Sequence, residues 1–440
     1  MLAESYLVSV SGPPLANNTA IPKDAGIYEL TLHPSYATTN TFKRSTAPRN
    51  CLAASDTHIF AAQDEKSTVH VYSRSKGSQE ALVTFPERIS SVALLGDVLF
   101  LGSQEGRVIV WEICTGRQAT TPACHVQAVT CMAVTPYHLV TGSEDSNLHV
   151  WSVPRLLELD STIEHEPMQT LSNHRAAVTS LAVGHSVNPD TNICVSGSRD
   201  KSCVVWNYQL GVALRTLLFP SFPLCLCLDP CARAIYVSSD DGSLYAIELF
   251  AEKALLGPLS VEDSSMAVQV SSAFGATPRQ AGPASCMAVN YDGTILISGH
   301  PQGQVLRWDL SSRADSTELT NLNASITNVV FISPLPAPRP TRPVTVIKPF
   351  LGSRTYNFTS QLDSELAGED TRFSRMLSSK GFPSDVLEQA IIAFQTPAED
   401  PVGDQELRKE NEELWEVVNE QRALQKRTLQ RYLEARSSNA

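Results

Sequence analysis

The chain has 440 residues, of which 42% are hydrophobic and 18% charged, with a formal net charge of −12 at pH 7. These are globular values, and the length exceeds a single ordinary core, so two or three domains or one large closed repeat array would fit. The acidic balance argues against a nucleic-acid binder with a basic field over a whole face, while leaving local basic patches open.

The N-terminal stretch MLAESYLVSV carries Glu4 where a secretory signal would be basic, and its apolar run is short. The most apolar stretch elsewhere, TLLFPSFPLCLCL (216–228), holds two prolines and falls short of the roughly 20 residues of a membrane span. A soluble intracellular protein is expected. The ten cysteines lie mostly in apolar strand-like runs and are expected to be reduced, buried thiols.

Residues 4–10 (ESYLVSV) and 26–33 (GIYELTLH) alternate like half-buried strands and are too few for a sheet of their own. From Arg49 onward a phrase of short strand-like runs recurs at a period of about forty residues. Its closing markers are Tyr72, Trp111, Trp151, Trp206, Ile247 and Trp308. The clearest copies are AVTCMAVTPYHLVTGSEDSNLHVW (128–151) and AVTSLAVGHSVNPDTNICVSGSRDKSCVVW (177–206). Such a repeat, ending on Trp six residues after Asp, is that of a β-propeller blade.

Two intervals are longer than one blade and are assigned insertions: an acidic loop at 156–167 and a Ser/Ala/Gly/Pro-rich stretch at 251–284. They are read as surface loops, either contact loops or tolerated insertions without a role. After Trp308, SITNVVFIS (325–333) and PVTVIKPF (343–350) are two further strand-like runs. Pairing them with the two N-terminal strands gives a seventh blade made from both chain ends and leaves no open edge. The predicted fold is therefore all-β: a seven-bladed propeller over 1–350, with an α-helical extension.

Residues 351–403 read as a polar linker, with a short helix near 385–395 opened by the capping box Asp385-Val-Leu-Glu388. The apolar stripe Leu387, Ala390, Ile391 and Phe394 would dock either on the propeller or on another protein. Residues 404–436 hold no Gly or Pro, are acidic in the first half and basic in the second, and form a strong helix. Leu407 and Leu414 at d place Asn411 and Val418 at a, with Leu424 widening the apolar face, a coiled-coil seam suited to dimerisation. The buried Asn favours parallel pairing and the charge polarity antiparallel pairing; both stay open.

His125, Thr141, Asp145 and Trp151 occupy equivalent places to His174, Ser196, Asp200 and Trp206. A His–Asp–Ser/Thr set suggests a hydrolase triad, but its repetition with a closing Trp identifies a structural network within each blade. The second and sixth units lack the His and carry Glu105 and Gln302 at the Asp place, so their networks are expected to be incomplete. Cys225, Cys227 and Cys231 lack a C-x-x-C pair and a nearby His, and are not read as a metal site. No phosphate loop, dinucleotide fingerprint or nucleophile elbow is present, so no catalytic residue, cofactor or metal is expected. The strip PAPRPTRPVTVIKPFLGSR (336–354) offers Arg339, Arg342, Lys348 and Arg354 for RNA phosphate contact. A solvated Pro-rich loop is the favoured reading of it.

VTGSEDSNLHVW and VSGSRDKSCVVW resemble WD-repeat motifs. With the degenerate fifth and sixth blades, the phrase DDGSLYAIELF (240–250) and the charged C-terminal helix, the chain resembles the WD-repeat subunit of the Rix complex. The resemblance implies a non-catalytic scaffold subunit of a nuclear complex for processing the internal transcribed spacer of pre-rRNA and for maturation and export of the large ribosomal subunit. It further implies, as partners, a helical-repeat scaffold subunit, a midasin-type AAA ATPase on pre-ribosomal particles, and a second copy of the chain joined through the C-terminal helix. The alternatives are a propeller that binds RNA directly and a substrate adaptor of a ubiquitin ligase, the latter on fold analogy alone.

Overall fold

A computed structural model describes residues 3–12, 15, 25–158, 165–184, 192–250, 255, 267–311, 316–334, 345–349 and 401–438. Three strands open the chain: β1 (Glu4–Ser11), β2 (Ala25–His33) and β3 (Ala37–Lys43). Four strands follow as blade 1: β4 (Leu52–Ala54), β5 (His58–Ala62), β6 (Thr68–Ser73) and β7 (Ser78–Thr84). Blade 2 is β8 (Ile89–Leu95), β9 (Val98–Ser103), β10 (Val108–Glu112) and β11 (Gln118–Thr120). Blade 3 is β12 (Val129–Val134), β13 (His138–Ser143), β14 (Leu148–Ser152) and, after the helical turn α1 (Val153–Leu156), β15 (Gln169–Leu171).

Blade 4 comprises β16 (Val178–Val183), β17 (Ile193–Ser198), β18 (Ser202–Asn207) and β19 (Val212–Leu218). Blade 5 is β20 (Pro223–Leu228), β21 (Ala234–Ser239) and β22 (Ser243–Glu248). The strand β23 (Ala267–Gln269) joins blade 4 as a fifth, parallel strand beside β19, and β24 (Gly275–Ala276) completes blade 5. Blade 6 is β25 (Cys286–Val289), β26 (Ile295–Gly299), β27 (Gln304–Asp309) and β28 (Thr317–Asn321). Finally β29 (Ser325–Ile332) pairs with β1, so blade 7 has the order β29-β1-β2-β3. The remaining element is the helix α2 (Pro401–Ser438). Among the described residues no helix is long and apolar enough to cross a membrane.

The innermost strands β4, β8, β12, β16, β20, β25 and β29 neighbour one another in sequence, and β29 meets β4, closing the ring. Five of the seven seams are joined by an inner-strand hydroxyl that reaches the next blade's main chain. Ser90 bonds to the Val129 carbonyl at 2.8 Å, Thr130 to Val178 at 2.6 Å and Thr179 to Pro223 at 2.9 Å. Ser285 bonds to Ile326 at 2.5 Å and Thr327 to Ala47 at 2.6 Å. Blade 5 substitutes the Cys225 thiol and the Ser238 hydroxyl, both on the Ala284 carbonyl. At the seam between blades 1 and 2 no side-chain hydroxyl serves; the Val92 amide donates to the Asn50 carbonyl at 2.8 Å. The glycine that precedes the turn in blades 2, 3, 4 and 6 (Gly102, Gly142, Gly197 and Gly299) has a packing reason. A Cβ on Gly142 would lie 2.9 Å from Cys131 Sγ and from Val178 Cγ1 of blade 4.

Three expectations are corrected. First, residues 345–349, the described part of the run 343–350, are not a strand of blade 7; the fourth strand is β3, from the polar run ATTNTFK. Residues 345–349 lie instead against blade 2, where the Ile347 amide donates to the Ile113 carbonyl at 2.9 Å. Second, the extra length between Trp151 and Trp206 is shared between the stretch after α1 and the 184–192 connection of β16 to β17, so the acidic loop is only part of it. Third, the stretch 251–284 is not solely a loop, since it supplies the outer strands β23 and β24. The 385–395 helix and all but the last few residues of the 351–403 linker lie outside the described residues.

Candidate functional site

In blades 1 to 6 the chain enters from the preceding outer strand on the same face that holds the turn between the second and third strands. This upper face brings the loop histidine and the turn aspartate together. In blade 3, Trp151 Nε1 donates to Thr141 Oγ1 at 3.1 Å, Thr141 Oγ1 lies 2.9 Å from His125 Nε2, and His125 Nδ1 lies 3.2 Å from Asp145 Oδ2. The tryptophan has no proton acceptor role, so the order of donors is fixed: indole to hydroxyl, hydroxyl to Nε2, and Nδ1–H to carboxylate. Asp145 also accepts the backbone amides of Val126 and Asn147 at 2.9 Å each.

Burial and the stacked ring of His149, 4.0 Å away between centroids, hold His125 down to about 4. Its imidazole is neutral at pH 7, as the donor order requires. Burial pushes the Asp145 carboxyl up, but its amide donors and His125 outweigh this and hold it below the usual range. Blade 4 repeats the arrangement with Trp206, Ser196, His174 and Asp200 at 2.8, 2.7 and 3.2 Å. Asp200 is held well below the usual carboxylate range: burial opposes this, and bonds from His174, Ser202 and the Arg175 amide prevail. Every donor and acceptor is engaged inside the blade, leaving no free nucleophile or base. Replacing Ser196 with Ala strands the Trp206 indole N–H and should cost about 2 kcal/mol. A thermal-unfolding midpoint within a degree of the parent would show that the bond contributes nothing.

The expectation of an incomplete network in blade 6 is corrected. Trp308 Nε1 donates to Ser298 Oγ at 2.9 Å, and Ser298 Oγ lies 2.9 Å from His300 Nε2. His300 Nδ1 then meets the Gly282 carbonyl at 3.0 Å. The histidine comes from the turn and its acceptor from the entering loop, the reverse of blades 3 and 4. The signal was readable: Ser298 stands ten residues before Trp308, as Thr141 and Ser196 do before their tryptophans. In blade 2 that place is Leu101, and the Trp111 indole donates outside its own blade, to the Ile347 carbonyl at 3.2 Å. In blade 1, Tyr72 takes the tryptophan place and donates to the Lys43 carbonyl at 3.0 Å.

Over the upper end of the central channel lies a cavity of about 700 Å³, lined by Arg49, Asn50, Gln104, Gln127, Glu144 and Arg199 among others. Sequence reasoning missed these residues, because they come from four different blades and only ring closure assembles them. Cys225 and Cys227 face the same core between blades 5 and 6, where burial raises both thiols, while Cys231 is exposed in a turn. Among the described residues no cluster of His, Cys, Asp or Glu is arranged to hold a metal.

The first insertion is tied to blade 2 where it begins: Arg117 donates to the carbonyls of Leu157 and Glu158 and pairs with Glu112 at 2.9 Å. Of the basic strip, Lys348 is exposed; Arg339, Arg342 and Arg354 lie outside the described residues. In α2, Asn411, Leu414, Val418 and Leu424 are exposed, with Trp415 and Val417 beside them. Leu407 is within α2, and its side chain lies outside the described set.

Seven closed blades with repeated Trp–hydroxyl–His networks define a WD-repeat β-propeller. A family model described as "WD domain, G-beta repeat" matches residues 116–152 and 165–207, which span blades 3 and 4. The chain is similar to Pre-rRNA-processing protein IPI3 of Yarrowia lipolytica, 28% identical over 278 residues, 62% of this chain and 64% of the relative. It is similar also to Pre-rRNA-processing protein crb3/ipi3 of Schizosaccharomyces pombe, 23% identical, covering 62% of this chain and 67% of the relative. WD repeat-containing protein 18 of Danio rerio is 25% identical, covering 67% and 66%. The match thus spans about two thirds of the length of these relatives. Among solved structures, the computationally designed Ika8 protein matches with a TM-score of 0.51 and 17% identity, covering 73% of this chain and 100% of that one, a likeness of fold alone.

Proposed function

We propose that this protein takes part in ribosome biogenesis as a non-catalytic scaffold subunit of a nuclear assembly for pre-rRNA processing. It acts in removal of the internal transcribed spacer and in maturation and export of the large ribosomal subunit. The observation that carries this reading is the similarity, over 62% of the chain, to proteins named for pre-rRNA processing. The scaffold role is supported by the networks of blades 3, 4 and 6, which spend their histidines and hydroxyls on internal bonds and leave a rigid rim for partners. The partners are a helical-repeat scaffold subunit and a midasin-type AAA ATPase on pre-ribosomal particles. A second copy joins through α2, whose Leu414, Val418 and Leu424 present apolar surface to solvent. No enzyme activity is assigned.

Affinity purification from nuclear extract should recover large-subunit assembly factors, and depletion should raise spacer-containing pre-rRNA on a northern blot. Recovery of ubiquitin-ligase subunits with normal spacer removal would replace the reading by the adaptor one. Light scattering should give a mass near two chains for the full protein and one for a chain ending at Val402. Equal per-chain masses would remove the dimer.

A further inference from the structure

We infer that residues 345–349 are an internal peptide ligand docked in a site on the lower face of blade 2, so that the chain beyond them departs from blade 2 and not from the closing blade. The site exists because blade 2 departs from the pattern of its neighbours. Where blades 3, 4 and 6 place a hydroxyl ten residues before the tryptophan, blade 2 has Leu101, buried and apolar. The fully buried Trp111 indole would therefore lack an acceptor within its blade, and a buried donor without a partner is destabilising. Ile347 supplies the acceptor, at 3.2 Å.

The same residue is gripped a second time. Its amide donates to the Ile113 carbonyl at 2.9 Å, so both main-chain groups of Ile347 are engaged by blade 2. Double use of one residue's main chain is how extended peptides add to a folded surface. Shape agrees with bonding. Gly116, in the turn between β10 and β11, has φ of +73°, and a Cβ there would lie 2.8 Å from Ile347 Cγ2 and 3.0 Å from the Lys348 carbonyl. No side chain fits at Gly116 while the segment is in place. Val346 packs against the apolar cluster that holds Phe60, Phe85, Trp111 and Ile113, which draws on blades 7, 1 and 2.

The occupant is the chain itself. Only residues 333–344 separate the end of β29 from the segment, and so short a link gives an effective concentration on the order of millimolar, which outcompetes most free peptides. This inference is independent of the proposed role in pre-rRNA processing and fails or stands without it.

Hydrogen exchange on the full chain, followed peptide by peptide, tests it. The Ile347 amide should be protected relative to an unstructured peptide. Trp111→Phe removes the donor, though its smaller ring also leaves space in the core, and should speed exchange of 345–349 roughly fivefold beyond any change in β8–β11, the equivalent of one net hydrogen bond. Gly116→Val should raise it to the unstructured rate while peptides of blades 3 to 6 keep theirs. Unprotected 345–349 in the parent chain would overturn the inference, and so would unchanged exchange in Trp111→Phe. If Gly116→Val also exposes β8–β11, the Trp111→Phe result decides.

Discussion

A chain lacking residues 1–11 is expected to yield no soluble monomeric propeller. The strand β1 is paired on both sides, with β29 from Ser5 to Ser11 and with β2 from Glu4 to Ser9, so its loss breaks blade 7 into separate pieces. Tyr6, Leu7 and Val8 are fully buried, and each contributes roughly 2 kcal/mol of apolar burial. Their sum alone rivals the roughly 5–15 kcal/mol by which a domain is stable, before the lost ladder bonds are considered. The point version is Val8→Asp, which places an unpaired carboxyl in that core and should cost about 4 kcal/mol. Soluble yield, gel filtration and thermal unfolding read the outcome. A shortened chain that elutes as a monomer and melts within a few degrees of the parent would show that the ring does not need its N-terminal strand.

Acid should weaken the propeller well before its carboxylates titrate. The unfolded chain takes a proton on His125 near 6.5, but the folded blade resists until about 4. Because the unfolded state binds more protons in that window, stability falls as pH drops from about 6.5 to 4. His125 alone accounts for about 3 kcal/mol across it. Burial lowers His149, His300, His70 and His138 as well, and these act with the same sign. Asp145 and Asp200, held below the usual range, add a second loss only below about pH 4. The unfolding midpoint should therefore drop between pH 7.5 and pH 5. His149→Phe, which removes one titrating ring and the like-charged neighbour of His125, should make that drop shallower even though it shifts the baseline. Identical slopes for parent and variant would place the acid sensitivity elsewhere.

The ring was legible where side chains alternate and a marker closes the phrase. Val129–Trp151 and Val178–Trp206 carry strand pattern, turn and tryptophan together, so blades 3 and 4 could be drawn almost to the residue. Outer strands were harder to see: β3 reads ATTNTFK, is exposed along most of its length and pairs on one side only, and nothing in its composition separates it from a loop. The run PVTVIKPF misled for the opposite reason. It alternates like a strand because Val346 does meet an apolar core, but it docks singly on blade 2. The turn conformation was equally hidden. Ser146 and Lys201 take the same left-handed φ as Gly106, Gly242 and Gly303 at the matching turn positions, and only the glycines announce it. Among the candidate site residues, the histidine networks were visible as spacing, except in blade 6, where His300 sits on the opposite side of the partnership. The channel mouth was not visible at all, since Arg49 and Arg199 are distant in the chain and meet only when the circle closes.

The docked segment also decides how a tug on the C-terminal arm is borne. Without it, force applied beyond residue 350 would run straight into β29 and peel the strand that fastens both chain ends. With Ile347 fastened to Ile113 and Trp111, the load path enters the ring at blade 2 first. The anchor must tear before the buckle, β29, feels the pull.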